Sequence, residues 1–237
     1  MIFGGILAGG TGTRMNIVNM PKQFLMLGEK PIIIHTLEKF LLCNRFDKIY
    51  LGVHKDWVAY CNDLIEKYIG ISDKVVVIEG GQDRNGTIMN IVNDIESNFG
   101  SADEHIIVTH DSVRPFVSLK IIEENIDSAI KYGACDTVIS ATDTIVVSED
   151  SEVISNIPDR SKMYQGQTPQ SFKIDVIKKL YTDLTDDEKN ILTDACKICV
   201  IRGVPVHLVE GDSLNIKITT ITDLTLANAI MKGEKSE

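Results

Sequence analysis

The sequence predicts an α/β fold, a mostly parallel sheet covered by helices on both faces. Three observations carry this. Short apolar runs such as Ile2–Leu7 and Lys48–Val53 do not alternate with polar residues, the pattern of strands buried on both sides. Amphipathic segments separate these runs, as crossover helices must. The loops after the runs are rich in Gly, Asp and Arg, and such Rossmann-like sheets bind ligands beyond the carboxyl ends of their strands.

The elements follow in order. Ile2–Leu7 reads as a buried strand that ends in a glycine loop. Pro31 opens a helix carrying Ile34, Leu37, Leu41 and Leu42 at helical spacing. Lys48–Val53 is a second strand, and Asp56 is placed to cap a helix running to about Tyr68. Lys74–Ile78 is a third strand, followed by a helix through Ile88, Ile91 and Ile95. His105–Thr109 is a fourth, Ser118–Tyr132 a helix, and Thr137–Ser140 a fifth strand. Thr144–Val147 and Glu152–Ile154 then suggest a hairpin that interrupts the rhythm and projects as a β-arm over about residues 143–162. Helices are expected at Lys173–Tyr181 and Asp186–Val200, strands at Val204–Val209 and Asn215–Ile218, and a last helix from about Ile221 to Met231.

The chain has 237 residues, a length that suits one domain over 1–237. Its 24 Lys+Arg against 34 Asp+Glu give a net charge of −10, which speaks against nucleic acid and anionic membranes as partners. It does not speak against a small anion, because the first 28 residues hold Arg14 and Lys22 and no acid. Five cysteines, an odd number at low density, do not form a disulfide framework. With no basic segment ahead of the first apolar run, a reduced, cytoplasmic protein is expected.

Three loops hold the candidate chemistry. The first is Leu7-Ala8-Gly9-Gly10-Thr11-Gly12-Thr13-Arg14, continued by Pro21-Lys22-Gln23. Glycines let backbone N–H groups approach an anion, and Arg14 and Lys22 add fixed positive charge, so this loop reads as a phosphate site. A turn needing positive φ explains one or two of the glycines, not the whole set with its cations. No Gly-Lys pair occurs, which removes a P-loop. Met15 stands where the dinucleotide fingerprint needs its third glycine, and His54 and Lys55 stand where a ribose-binding acid belongs.

The second loop is Gly80-Gly81-Gln82-Asp83-Arg84-Asn85-Gly86-Thr87, suited to a base edge and ribose. The third is His110-Asp111-Ser112-Val113-Arg114-Pro115-Phe116, where Asp111 is placed to hold Mg²⁺ beside a triphosphate. His110 reads as a buried support and Arg114 as an ion-pair partner. Further on, Asp159-Arg160 and Lys217 stand out, the latter inside an apolar run, where an ammonium needs a partner such as a phosphate. Cys196-Lys197-Ile198-Cys199 has no second pair and no His pair, so it reads as core.

In this order the motifs resemble the cytidylyltransferases that make CDP-activated sugar alcohols. They are Leu-Ala-Gly-Gly-Thr-Gly-Thr-Arg, Pro-Lys-Gln, Gly-Gly-x-x-Arg, His-Asp-x-x-Arg-Pro-Phe, Asp-Thr, Asp-Arg, Thr-Pro-Gln, Thr-Asp and Asn-Ile-Lys-Ile-Thr-Thr, and they cover nearly the whole chain. The resemblance implies a nucleotide-diphospho-sugar transferase type of sheet. It implies CTP bound by Leu7, Ala8, Gly9, Gly10, Thr11 and Gly12, by Gly80 to Thr87, and by Ser112. It implies catalysis by Arg14, Lys22, Arg160 and Lys217, with the acceptor held by Thr144, Arg160 and Lys217. It further implies Mg²⁺ at Asp111 and a homodimer whose arm carries Arg160 toward the partner's site.

The group includes 2-C-methyl-D-erythritol 4-phosphate cytidylyltransferases and ribitol-5-phosphate cytidylyltransferases. Ser112-Val113, Ala141-Thr142-Asp143-Thr144 and Tyr164–Gln170 look more like the ribitol branch. The expected reaction is therefore cytidylyl transfer from CTP to D-ribitol 5-phosphate, serving ribitol-phosphate teichoic acid in the cell wall. The methylerythritol enzyme of isoprenoid biosynthesis is the alternative. A nicotinamide-dependent oxidoreductase and a non-catalytic nucleotide-binding module are the remote ones.

Overall fold

The computed structural model describes residues 1–10, 20–101 and 103–234. Strand β1 (Ile2–Ala8) is followed by a small antiparallel pair, β2 (Met26–Leu27) and β3 (Lys30–Pro31). Then come α1 (Ile32–Leu41), β4 (Lys48–Val53), α2 (Val58–Tyr68), β5 (Val75–Glu79), α3 (Arg84–Phe99), β6 (Ile106–Asp111), α4 (Leu119–Tyr132) and β7 (Ala134–Ser140). The chain continues with β8 (Tyr164–Lys173), α5 (Ile174–Thr182), α6 (Asp186–Asn190), α7 (Cys196–Ile201), β9 (His207–Glu210) and α8 (Ile221–Glu234). Seven strands form one sheet in the order β5-β4-β1-β6-β8-β7-β9, and β8 alone runs antiparallel to its neighbours. The predicted α/β class and mostly parallel sheet are observed.

Both faces of the central strands β1, β4 and β6 are buried, which is why their sequences do not alternate. Phe3 and Leu7 of β1 pack with Ile88, Ile91 and Ile95 of α3 and with α5 and α7. Ile6 and Ala8 point the other way, into Ile33, Leu37 and Phe40 of α1 and the apolar faces of α2 and α4. Burying each such side chain contributes about 1.5–3 kcal/mol, so the two layers fix the register of the central strands and the height at which their loops emerge. Local signals set the boundaries. Ser118 Oγ accepts the Ile121 N–H at the start of α4, and Gly133, at φ +89°, ends it.

Several expectations are corrected. Asp56 does not cap a helix. It lies in a 3-10 turn, Lys55–Trp57, whose cap is the His54 ring. The expected hairpin is one bridge, Val147 with Asn156, around a turn in which Asp150 accepts the N–H groups of Glu152 and Val153. The expected helix Asp186–Val200 is two, because Asp194 takes the Lys197 N–H and starts α7 afresh. Asn215–Ile218 is not a strand, although it is pinned to the third loop by Ile218 N–H to Val113 O at 2.9 Å.

Strand β8 has no counterpart among the expected elements, since Gly166, Pro169 and three glutamines are poor strand residues. It is held by buried polar groups: Thr109 and Thr137 hydroxyls donate to Gln170 O and Pro169 O, and Ser171 donates to Asn125. Pro169, which has no N–H to give, sits where the β7–β8 register shifts between Asp136 and Val138. All five cysteines are buried, and burial pushes Cys61 up to about 12 and Cys135 and Cys199 up to about 11, so they are inert core residues.

Candidate active site

A cleft opens at the carboxyl ends of β1, β5 and β6. It is lined by Leu7, Ala8, Gly9 and Gly10, by Lys22 and Gln23, by Gly81 to Arg84 with Thr87, by Asp111 to Val113, and by Lys217. All three expected loops and the distal lysine therefore converge.

The first loop is shaped by a residue not predicted as part of the site. Gln23 is buried, and its amide donates to Ala8 O at 2.8 Å and Gly10 O at 3.1 Å. Holding these two carbonyls fixes the backbone of Ala8 to Gly10 at the cleft wall. The clue available in the sequence is its place directly after Lys22. Thr11, Gly12 and Arg14 lie outside the described residues.

The second loop is a built cradle. Asp83 caps α3 by accepting the Gly86 N–H at 2.7 Å. Thr87 Oγ1 donates to Asp83 O at 2.8 Å and accepts the Gly81 N–H at 3.0 Å, folding the loop onto the first turn of the helix. A helix N-terminus with this backbone density favours an anion. Gly80, Asn85 and Gly86, expected to touch nucleotide, do not line the cleft. Gly80 and Gly86 shape its backbone, and Asn85 is buried behind it.

The third loop holds the densest charge. Asp111, 7% exposed, ends β6 and faces three cations: Lys217 Nζ at 2.8 Å, Arg84 Nε at 3.6 Å and Arg114 Nε at 3.6 Å. Burial pushes its carboxyl up, but Arg84, Lys217 and Arg114 together hold it well below the usual carboxylate range. Cations outnumber the carboxylate, and the buried Nη1 and Nη2 of Arg84 have no hydrogen-bond partner among the described residues. An arginine fork left unpaired beside a helix N-terminus fits a phosphate. Arg114 is the expected ion-pair partner and also donates from Nη1 to Asn215 O at 2.6 Å.

His110 is the expected buried support. Its Nε2 lies 3.0 Å from Arg114 O, so Nε2 carries the proton, and Nδ1 accepts from the Thr168 hydroxyl at 2.9 Å. Thr168 in turn accepts the Asp111 N–H at 3.2 Å. Burial pushes the ring down to about 4. The unfolded ring titrates near 6.5, so about 3 kcal/mol of stability is present above that pH and is lost as pH falls toward 4. Asp136, which burial pushes up to about 6, works with the opposite sign in the same window. The expected result is that melting temperature falls more steeply from pH 7 to 4.5 in the native protein than in His110→Gln, since Asp136 is common to both. Parallel curves would contradict the neutral buried ring.

Arg160 and Thr144 are not brought to the cleft of their own chain. Both are exposed, and Arg160 Nη1 donates to Thr142 O at 3.0 Å. No group of three or more His, Cys, Asp or Glu able to hold a metal is found among the described residues.

This sheet and this cation-rich glycine cleft define a nucleotidyltransferase. The family model described as 2-C-methyl-D-erythritol 4-phosphate cytidylyltransferase (IspD) matches residues 3–233, and the chain belongs to that family of cytidylyltransferases. Among solved structures, it is similar to 4-diphosphocytidyl-2C-methyl-D-erythritol synthase from Anaerococcus prevotii, with 25% identity and a TM-score of 0.79 over 98% of this chain and 96% of that one. It is also similar to 2-C-methyl-D-erythritol 4-phosphate cytidylyltransferase from Francisella tularensis, with 26% identity and a TM-score of 0.78 over 96% and 98%. The Thermus thermophilus protein of the same name, at 24% identity and a TM-score of 0.73 over 98% and 100%, shares the fold. Among the described residues no helix is long and apolar enough to cross a membrane.

Proposed function

We propose that the chain transfers the cytidylyl group of CTP to the phosphate of a short polyol phosphate, releasing pyrophosphate. The observation that supports this best is the convergence of Arg84, Asp111 and Lys217 on the glycine-built cleft. In the reaction an oxygen of the acceptor phosphate bonds to the α-phosphorus, and the bond from that phosphorus to the β-bridging oxygen breaks. Pyrophosphate leaves with the electron pair. The attacking group is already an anion, so the chain need only position it and neutralise charge. The backbone of Gly9, Gly10 and Gly81 cradles the triphosphate, Arg84, Lys22 and Arg14 balance its charge, and Lys217 orients the acceptor.

Asp111 offers one buried carboxylate, which fits Mg²⁺ held jointly by protein, nucleotide phosphates and water. Bound there, the ion would neutralise triphosphate charge. Three cations already face Asp111, so the ion's charge is tolerated only with the nucleotide present.

The comparisons back methylerythritol phosphate better than ribitol 5-phosphate as the acceptor, since the family and the similar structures bear the former's name. The ribitol reading keeps a specific support in Ser112-Val113, at the cleft wall, and in Tyr164–Gln170. Pyrophosphate release from CTP and Mg²⁺ with each acceptor in turn decides between them. Turnover with neither acceptor would overturn the proposal.

We further propose that two chains pair through the arm, and that Arg160 serves the partner's site. Val146, Val153, Ile154 and Ile157 of the arm are each at least 50% exposed, apolar surface that a partner would cover. Arg160→Ala is expected to raise the acceptor KM at least about tenfold with CTP KM within twofold. Co-expressing Arg160→Ala with Lys217→Ala is expected to restore about a quarter of wild-type activity, because half the dimers carry one intact site. No restoration would place Arg160 in its own chain's site.

A further inference from the structure

Lys217 stands on a stretch without regular secondary structure, yet its ammonium must meet Asp111 at 2.8 Å. Something else must fix it. On its far side the Ile218 N–H to Val113 O bond does so, and on its near side two side chains outside the lining of the active-site cleft. Gln167 of β8, 7% exposed, donates to Asp212 O at 2.9 Å and accepts the Asp212 N–H at 3.4 Å, so its amide pairs with the incoming backbone as a strand would. Asn215 is fully buried, and its Nδ2 donates to Gln167 Oε1 at 3.2 Å and to Thr168 O at 2.8 Å. Both partners are acceptors, which fixes the amide's orientation. The Asn215 carbonyl receives Arg114 Nη1 at 2.6 Å, and Arg114 also faces Asp111. Two residues beyond Asn215 is Lys217.

We infer that Gln167 and Asn215 form a carboxamide latch that positions Lys217 against Asp111, and that both are positioning residues for acceptor use. Thr168 lies on the same strand as Gln167 and reaches His110 and the Asp111 N–H, so the latch references the lysine and the carboxylate to one strand. A displacement of about 1 Å at a reacting group costs on the order of 100-fold in rate, so a latch is needed where no ladder holds the backbone. The inference rests on the reading of Lys217 as an acceptor-side residue.

The test is a double-mutant cycle on kcat/KM for the acceptor that the wild type uses. Gln167→Leu keeps the side-chain volume and removes the latch. It is expected to lower acceptor kcat/KM at least about tenfold and to leave CTP KM within twofold. Asn215→Ala is expected to do the same or more. If that variant fails to fold, as its circular dichroism melt will show, Gln167→Leu alone carries the test. In a Lys217→Ala background the Gln167→Leu change is expected to cost less than about twofold, because its effect passes through a lysine already gone. An equal loss in both backgrounds would make Gln167 merely structural and overturn the inference. So would an equal loss of CTP affinity, or no loss. A wild type inactive with every acceptor would instead overturn the functional proposal, and a Lys217→Ala enzyme with full acceptor kcat/KM would overturn the role given to that lysine.

Discussion

Asp111→Asn is expected to lower kcat at least about 100-fold and melting temperature by roughly 6–12 °C. The substitution keeps shape and removes charge. Lys217, Arg84 and Arg114 all face this one carboxylate; Lys217 is partly exposed, but the two guanidiniums are largely buried, and removing their shared partner costs about 3 kcal/mol. The kinetic loss has a separate origin. Without the anion, Lys217 has no fixed partner at the end of β6, and the divalent cation loses its protein carboxylate. Binding of CTP in the absence of Mg²⁺ should move the other way, holding or tightening, because three cations are released toward the triphosphate. Steady-state kinetics, a melt and calorimetric titration with CTP in EDTA read these effects. Unchanged kcat would remove Asp111 from the site. Weaker metal-free CTP binding would show that the carboxylate does not compete with phosphate for the cations. Phosphate or sulfate should recover part of the lost melting temperature by pairing with the freed cations.

The parts of this architecture that are legible in the sequence are those where burial overrules everything else. Strands β1, β4 and β6 lie between two apolar layers, so each of their residues has to be apolar, small or hydrogen-bonded, and the runs declare themselves. The charged residues at the carboxyl edge of the sheet, Arg84 at the start of α3 and Asp111 at the end of β6, are legible for the opposite reason: that edge is where such a sheet binds its ligand. Strand β8 is opaque because its interior is a polar network. Thr168 meets His110 and the Asp111 N–H, Gln170 O and Pro169 O accept from Thr109 and Thr137, and Ser171 donates to Asn125, and only such tertiary partners make these residues acceptable. Lys217 is conspicuous in the sequence as a cation within an apolar run, but a strand is not what carries it. Its segment is held by side-chain amides, and its partner is a carboxylate from a residue more than a hundred positions away. Arg160 and Thr144 stand out by motif alone, and nothing in the fold of one chain brings them to the cleft.

Two glycines of the second loop separate the motif from its geometry. Gly81→Ala is expected to lower kcat/KM for CTP by about 100-fold, whereas Gly86→Ala should stay within about threefold. A Cβ on Gly81 would lie 2.4 Å from the Gly86 carbonyl carbon, 2.7 Å from Thr87 N and 2.8 Å from Gly86 Cα. All three atoms are backbone in the first turn of α3, so no rotamer change relieves the contact, and loop and helix must separate by about 1 Å. That separation breaks the bond from Gly81 N–H to Thr87 Oγ1 and draws the helix N-terminus away from the phosphates it should face. The fold should lose only about 1–3 kcal/mol, the usual cost of overpacking, so the protein remains testable. A Cβ on Gly86 would come no nearer than 3.4 Å to Asp83 Oδ1 and 3.6 Å to Gly81 Cα, ordinary contacts, and alanine favours the helix. CTP titrations and melts of both variants distinguish the readings. If both lose activity alike, the loop acts through glycine flexibility. If only Gly81→Ala does, it acts through close backbone approach, which is what a cradle built for a triphosphate requires.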